Sequence, residues 1–192
     1  RVFDYSTGVP LELGHINPSQ LPKSARREVS QLMVDTSLAL GVRWGSFKAD
    51  ILMTDGGPKI LEVTARLSGG WDCQGTSPLT GRHPMRALLQ LACGMPVDAL
   101  LTWAPGNGYA VCTAILPHKT GQILRLPSLV DIGEHPYVEE IHWHMKPGDM
   151  LETITHNGLR PGFVLAVSSN PDVSWQRART AANGLADSME IL

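Results

Sequence analysis

The sequence predicts an α+β chain, with antiparallel sheet backed by helices and then a smaller β-rich region closed by a terminal helix. Three observations carry that prediction. Between Lys23 and Gly41, Val29, Leu32, Met33, Thr36 and Leu40 fall near the i, i+3, i+4, i+7 spacing of an amphipathic helix. From Gly45 to Arg66, apolar and polar residues alternate on either side of Asp55-Gly56-Gly57, which is hairpin chemistry. Beyond Thr102-Trp103-Ala104-Pro105-Gly106-Asn107-Gly108, a run dense in chain breakers, short alternating segments succeed one another with turn residues between them. The expected domains are therefore 1–106 and 107–192.

Taken in order, Arg1-Val2-Phe3-Asp4-Tyr5 is strand-like, and the first helix has Pro22 near its start and Gly41 placed to end it. In the hairpin, Phe47, Ala49, Ile51 and Met53 share one face, while Lys48, Asp50 and Leu52 share the other. The second strand, Lys59 to Arg66, leads into a loop of small residues, Ser68-Gly69-Gly70-Trp71. A second helix is expected from Pro84 to Cys93, with Met85, Leu88, Leu89 and Ala92 on one face and Gly94 beyond its end. After the break, strands are expected over 109–116, 122–126, 138–145, 150–155 and 163–167. Asn170-Pro171 is a cap followed by proline at the first helical position, opening a helix that continues through Ala178, Ala182 and Leu185.

Composition narrows the function classes. The 192 residues are 43% apolar and 18% charged, enough for a globular core. A formal charge of −2 leaves no electrostatic footprint for nucleic acid and no polybasic segment for anionic membranes. No apolar run approaches the roughly 18 residues of a membrane span. A soluble, cytoplasmic chain with neither nucleic-acid nor membrane partner is the expectation. Cys73, Cys93 and Cys112 form no C-x-x-C pair and read as free thiols. The chain opens on Arg1 directly in strand-like sequence, so a fragment of a longer protein is expected.

The hairpin holds the chemistry. With a three-residue loop of Asp55, Gly56 and Gly57, Thr54 pairs with Pro58 and Asp50 faces Glu62. Directly opposed carboxylates have β-carbons about 5 Å apart and repel by about 3 kcal/mol at an effective dielectric near 20. A compensating cation is called for, and oxygen-only ligands favour Mg²⁺ or Mn²⁺. Because Mg²⁺ takes one or two carboxylates and completes its shell with water and phosphate oxygens, a nucleotide is the natural third party. Glu62, Thr64 and Arg66 alternate on one face, which would project a guanidinium beside the metal. Two other readings stand beside this one. In the first, Lys48 and Arg66 simply screen the carboxylates on a solvated edge hairpin; in the second, a two-residue loop sets Asp50 opposite Leu61 or Val63 instead. Elsewhere, His142 and His144 share a face while Ile141, Trp143 and Met145 point inward, but no glutamate stands at cupin spacing after them, so solvent-facing histidines are expected. Cys73 reads as a small buried thiol.

These residues also carry a family resemblance. The order His15-Ile16-Asn17-Pro18-Ser19-Gln20-Leu21-Pro22, the helix ending Ala39-Leu40-Gly41-Val42, the hairpin with Asp50, and then Gly57-Pro58-x-x-x-Glu62-x-x-x-Arg66-x-x-Gly69-Gly70 resembles the second half of an ATP-grasp carboxylate–amine ligase. Leu79-Thr80-Gly81, Pro147-Gly148-Asp149 and Arg160-Pro161-Gly162 are similar to the downstream segments of the L-amino-acid ligase branch. The resemblance implies that Glu62 bridges Mg²⁺, that Asp50 stands where the family usually has glutamate, and that Thr64 stands in place of the usual asparagine. It also implies that Arg66 contacts the acyl phosphate or γ-phosphate, and that Ser68, Gly69, Gly70 and Trp71 approach the substrate. ATP and Mg²⁺ (or Mn²⁺) would be the cofactors, and the substrates a carboxylate, such as an amino acid, and an amine, joined through an acyl phosphate. The family's phosphate-binding lysines, adenine strand and preceding domain lie N-terminal to this region. The expectation is thus a C-terminal part that is inactive without its N-terminal ATP-binding portion and that, alone, exposes apolar surface and dimerises or aggregates. Carbamoyl-phosphate-synthase-like or biotin-carboxylase-like chemistry, or a non-catalytic ATP-grasp remnant serving as a binding or assembly module, are the alternatives.

Overall fold

Ten strands and three α-helices are found among the described residues of the computed structural model, which are 1–6, 8–73, 84–97, 108–133, 135 and 137–192. They belong to two compact units, Arg1–Pro18 with Gly106–Leu192, and Ser19–Pro105.

The first unit is built on a five-stranded antiparallel sheet. Strands β1 (Val2–Asp4), β2 (Leu11–Asn17), β5 (Tyr109–Ile115), β9 (Gly162–Ser168) and β7 (Val138–Trp143) lie in the order β1-β2-β5-β9-β7. Helix α3 (Pro171–Asp187) packs across β5 and β9. Its inner face is mostly alanine, and Ala178, Ala181, Ala182 and Leu185 close on Val111, Ile115, Val164 and Ala166, all fully or almost fully buried. Trp143 and Ile141 complete this core from β7, as their alternation predicts, and Val138 joins them across a register shift between Val138 and Glu140. The helix start is also as predicted: Asn170 Oδ1 accepts from the amides of Asp172 (2.9 Å) and Val173 (3.1 Å), a cap worth about 1 kcal/mol. A smaller sheet, in the order β10 (Glu190–Ile191), β6 (Gly121–Arg125), β8 (Met150–Leu151), buries Ile123, Leu151 and Met189.

The second unit holds α1 (Lys23–Ala39), the hairpin β3 (Lys48–Thr54) and β4 (Gly57–Thr64), and α2 (Pro84–Ala92). Helix α1 lies against β4 with Val29, Leu32, Met33 and Thr36 half-buried, while Leu40 is exposed. The face of α2 is rotated from the one predicted: Ala87 is buried and Leu88 and Leu91 half-buried, whereas Met85, Leu89 and Ala92 are exposed.

Three further differences concern strands. Leu11–Asn17, to which the pattern assigns no element, is a strand with buried residues on both faces, so it lacks the alternation that marks a half-exposed one. Its pairing with β5 brings Arg1–Pro18 into the unit of Gly106–Leu192, so residues 1–106 do not group together as expected. The strand expected over 150–155 ends at Leu151. The Leu79-Thr80-Gly81 motif and residues 102–107 of the expected boundary lie outside the described residues.

Candidate functional site

The β3–β4 hairpin turns more tightly than predicted. Thr54 pairs with Gly57, Met53 with Pro58, Leu52 with Lys59 and Ile51 with Ile60, so the loop is the two residues Asp55 and Gly56. Gly57 supplies the left-handed conformation next to it (φ +90°), and the Thr54 hydroxyl donates to the Gly57 carbonyl at 2.8 Å. Continued regularly, that register would set Asp50 opposite Leu61. A β-bulge between Asp50 and Ile51 on the β3 side prevents this: β4 contributes one extra residue, Leu61, and the ladder resumes with Asp50 paired to Glu62. The expected loop length is thus corrected, while the expected opposition of the two carboxylates is found.

Lys48, two residues before Asp50 and on the same face, answers their repulsion. Its Nζ lies 3.1 Å from Asp50 Oδ2 and 3.6 Å from Glu62 Oε1. The side chain of Lys48 is only 14% exposed, against 36% for Asp50 and 59% for Glu62, so the ammonium sits beneath two outward-facing acids. Thr64, paired with Lys48, donates its hydroxyl to Glu62 Oε1 at 3.1 Å. Asp50, Glu62, Thr64 and Lys48 therefore form one polar face of the hairpin. Leu52, on the Asp50 face, and Leu61 add exposed apolar surface beside it.

Arg66 is not carried on that face. Strand β4 ends at Thr64, and the Arg66 guanidinium turns to donate from Nη1 to the Leu67 carbonyl at 2.8 Å. In the loop after it the Ser68 hydroxyl donates to Asp72 Oδ2, and the Cys73 thiol reaches the Ser68 carbonyl at 3.8 Å. Gly70 and Trp71 are both left-handed (φ +63° and +73°), a conformation costing an aromatic residue about 1 kcal/mol or more. Gly69 and Gly70 are exposed, but the Trp71 side chain is buried, so the glycines offer the loop's accessible backbone. Burial, and secondarily the charge of Asp72, push the pKa of the Cys73 thiol upward.

The other candidates behave as solvent-facing groups. His142 and His144 are exposed, edge to face at 5.0 Å, with His142 stacked 5.2 Å from Phe163. Burial, the neighbouring His142 and the Arg160 guanidinium lower the pKa of His144. Among the described residues no group of three or more His, Cys, Asp or Glu side chains is arranged to hold a metal. Two opposed carboxylates with a threonine hydroxyl nevertheless fit an ion such as Mg²⁺, which needs few protein ligands when phosphate oxygens supply the rest.

Known proteins resemble this chain in sequence and in fold. Residues 114–186 match the L-amino acid ligase C-terminal domain 2. Dapdiamide A synthase of Enterobacter agglomerans is 28% identical over 149 residues, covering 72% of this chain and 33% of that protein. The fold of L-amino acid ligase from Bacillus licheniformis superposes with a TM-score of 0.73 at 22% identity, over 94% of this chain and 44% of that one. The chain is similar to the C-terminal part of these ligases. The same fold is seen in phosphoribosylglycinamide synthetase from Anaerococcus prevotii, with a TM-score of 0.80 at 14% identity, over 95% of this chain and 46% of that one. The chain spans about a third of the curated relative it matches and under half of these solved structures.

Proposed function

We propose that this chain supplies the metal-and-substrate half of an ATP-dependent ligase that activates a carboxylate as an acyl phosphate and couples it to an amine, and that it needs an ATP-binding portion to turn over. The observation supporting this reading is the pairing of Asp50 with Glu62 across a bulged hairpin, with Thr64 bonded to Glu62. A protein that needed only a stable hairpin gains nothing from opposing two acids.

In this reading Asp50 and Glu62, with the Thr64 hydroxyl, hold Mg²⁺ or Mn²⁺. The ion would neutralise charge crowded on the phosphate oxygens of ATP. The chain's own contribution is position and electrostatics. Glu62 is oriented by the Thr64 hydroxyl, and Asp50 by the Lys48 ammonium. Arg66, released from the strand, could exchange the Leu67 carbonyl for a phosphate or carboxylate, which it can grip with two parallel hydrogen bonds. Exposed backbone at Gly69 and Gly70 would meet the substrate's anionic group, with Ser68 and Trp71 shaping the loop around it. An amino acid or similar small carboxylate, a small amine and a cytoplasmic setting complete the proposal.

The deciding experiment replaces Glu62 by Gln and measures ATP-dependent phosphate release from the chain reconstituted with an upstream ATP-binding portion. Loss of at least about a hundredfold is expected, the scale on which removing one preorganised electrostatic group acts. Unchanged turnover would refute the metal assignment. One observation favours a second reading, a non-catalytic remnant: Lys48 already compensates both acids without any bound ion. Absence of Mg²⁺-dependent nucleotide binding after reconstitution would decide for it.

A further inference from the structure

The position of Lys48 bears on how many ions the site takes. We propose that Lys48 is a resident cation filling one of two cation positions against the Asp50–Glu62 pair, so that the pair accepts a single divalent ion. This rests on the reading of Asp50 and Glu62 as the metal-binding acids.

Three features of the hairpin lead there. First, the Lys48 ammonium is within ion-pair distance of one oxygen of each acid, Asp50 Oδ2 at 3.1 Å and Glu62 Oε1 at 3.6 Å, rather than of one acid alone. A cation so placed is shared, as a bridging metal would be. Second, it is the least exposed of the three groups, while Asp50 and Glu62 keep more solvent exposure. The exposed part of the two acids can still receive an ion. Third, the Thr64 hydroxyl already donates to the same Glu62 Oε1 that faces Lys48. That oxygen is therefore engaged twice within the hairpin, which leaves Glu62 Oε2 as its more available donor atom.

The charge balance points the same way. Two carboxylates and one ammonium leave a net charge of about minus one, so a first divalent ion is attracted. With that ion bound the cluster is positive, and a second would meet repulsion from both the first ion and the ammonium at close range, where screening by solvent is weakest. An arginine could not play this part equally well. Its guanidinium is planar and forks toward one carboxylate, whereas an ammonium is a compact point charge that can sit between two.

The test is Mn²⁺ binding by the 192-residue chain, followed through the paramagnetic resonance of the free ion, with chain integrity checked by circular dichroism. The wild-type chain is expected to take one Glu62-dependent ion. Lys48→Met should take two, the first bound about tenfold more tightly, because a repelling charge is removed at ion-pair distance from both ligands. Lys48→Gln serves the same purpose should the methionine variant misfold. Two Glu62-dependent ions in the wild-type chain, or the same count and affinity in Lys48→Met and Lys48→Gln as in wild type, would overturn the proposal while leaving the metal-binding reading intact. Binding that is absent throughout, or indifferent to Glu62→Gln, would overturn that reading and the inference together.

Discussion

Some exposed side chains here are tuned by short-range hydrogen bonding. Asp131 is the clearest case: its carboxylate accepts from the Ser128 amide at 2.7 Å and the Ser128 hydroxyl at 2.9 Å, and it pairs with Arg125 Nη1 at 2.9 Å. The Ser128 backbone bond, then the Ser128 hydroxyl and Arg125, hold its pKa down at about 2. An unfolded aspartate titrates near 3.9, so the unfolded state takes up the proton first. The stabilisation is therefore fully present above about pH 4 and is lost as pH falls through about 2. Replacing Asp131 by Asn should lower the melting temperature near neutrality, with the gap to wild type closing between about pH 4 and pH 2. A gap that stays constant through that range would show that Asp131 acts by shape and not by charge. The same reasoning separates Lys48 from Arg66: both are near acidic residues in sequence, yet only Lys48 is held in place by two acidic partners.

At the level of elements, what was legible in the sequence was whatever carried a local signal. The terminal helix has its cap, its proline and an alanine-rich stripe, and forms as read. The hairpin was legible because alternation and Asp55-Gly56-Gly57 coincide. Its bulge was not, since an extra exposed leucine in a strand looks like any other and nothing in composition distinguishes a pause in the ladder. The carboxylate opposition was thus reached with the wrong loop length, because the tighter turn removes one residue from the register and Leu61 restores it. Deleting Leu61 offers a direct check: Glu62 would then stand opposite Asp50 in an unbroken ladder, with less local twist. Mn²⁺ affinity within about threefold of wild type, a difference of about 0.7 kcal/mol, is expected if opposition of the acids is what matters. A loss as complete as in Glu62→Gln would show that the bulge's twist aims the ligands. For α2 the apolar residues outnumber what nine positions can bury, so periodicity alone could not choose the face.

For the whole molecule, the buried core is unevenly shared. Of the buried apolar side chains among the described residues, only Trp71, Cys73 and Ala87 belong to Ser19–Pro105, while Val34, Leu38, Trp44, Leu61 and Leu89 of that unit are more than half exposed. This imbalance was not legible in composition, which averages over the chain, nor was the pairing of β2 with β5, which joins residues 93 to 99 positions apart and leaves no local trace. That pairing has a practical meaning. Asn17 is the ladder partner of Ala110, so the backbone departs from the sheet and rejoins it on neighbouring strands, as the two arms of any hairpin do. Topologically, everything between them is cargo on a loop. A short turn linking residue 17 to residue 109 should therefore yield a miniature protein of five-stranded sheet and α3 that unfolds cooperatively, as read by thermal melts at two wavelengths. Non-coincident melts would mean that the sheet depends on its cargo. If they coincide, the two-acid hairpin is a graft on a free-standing scaffold, and the same two attachment points become a place to exchange one loaded module for another.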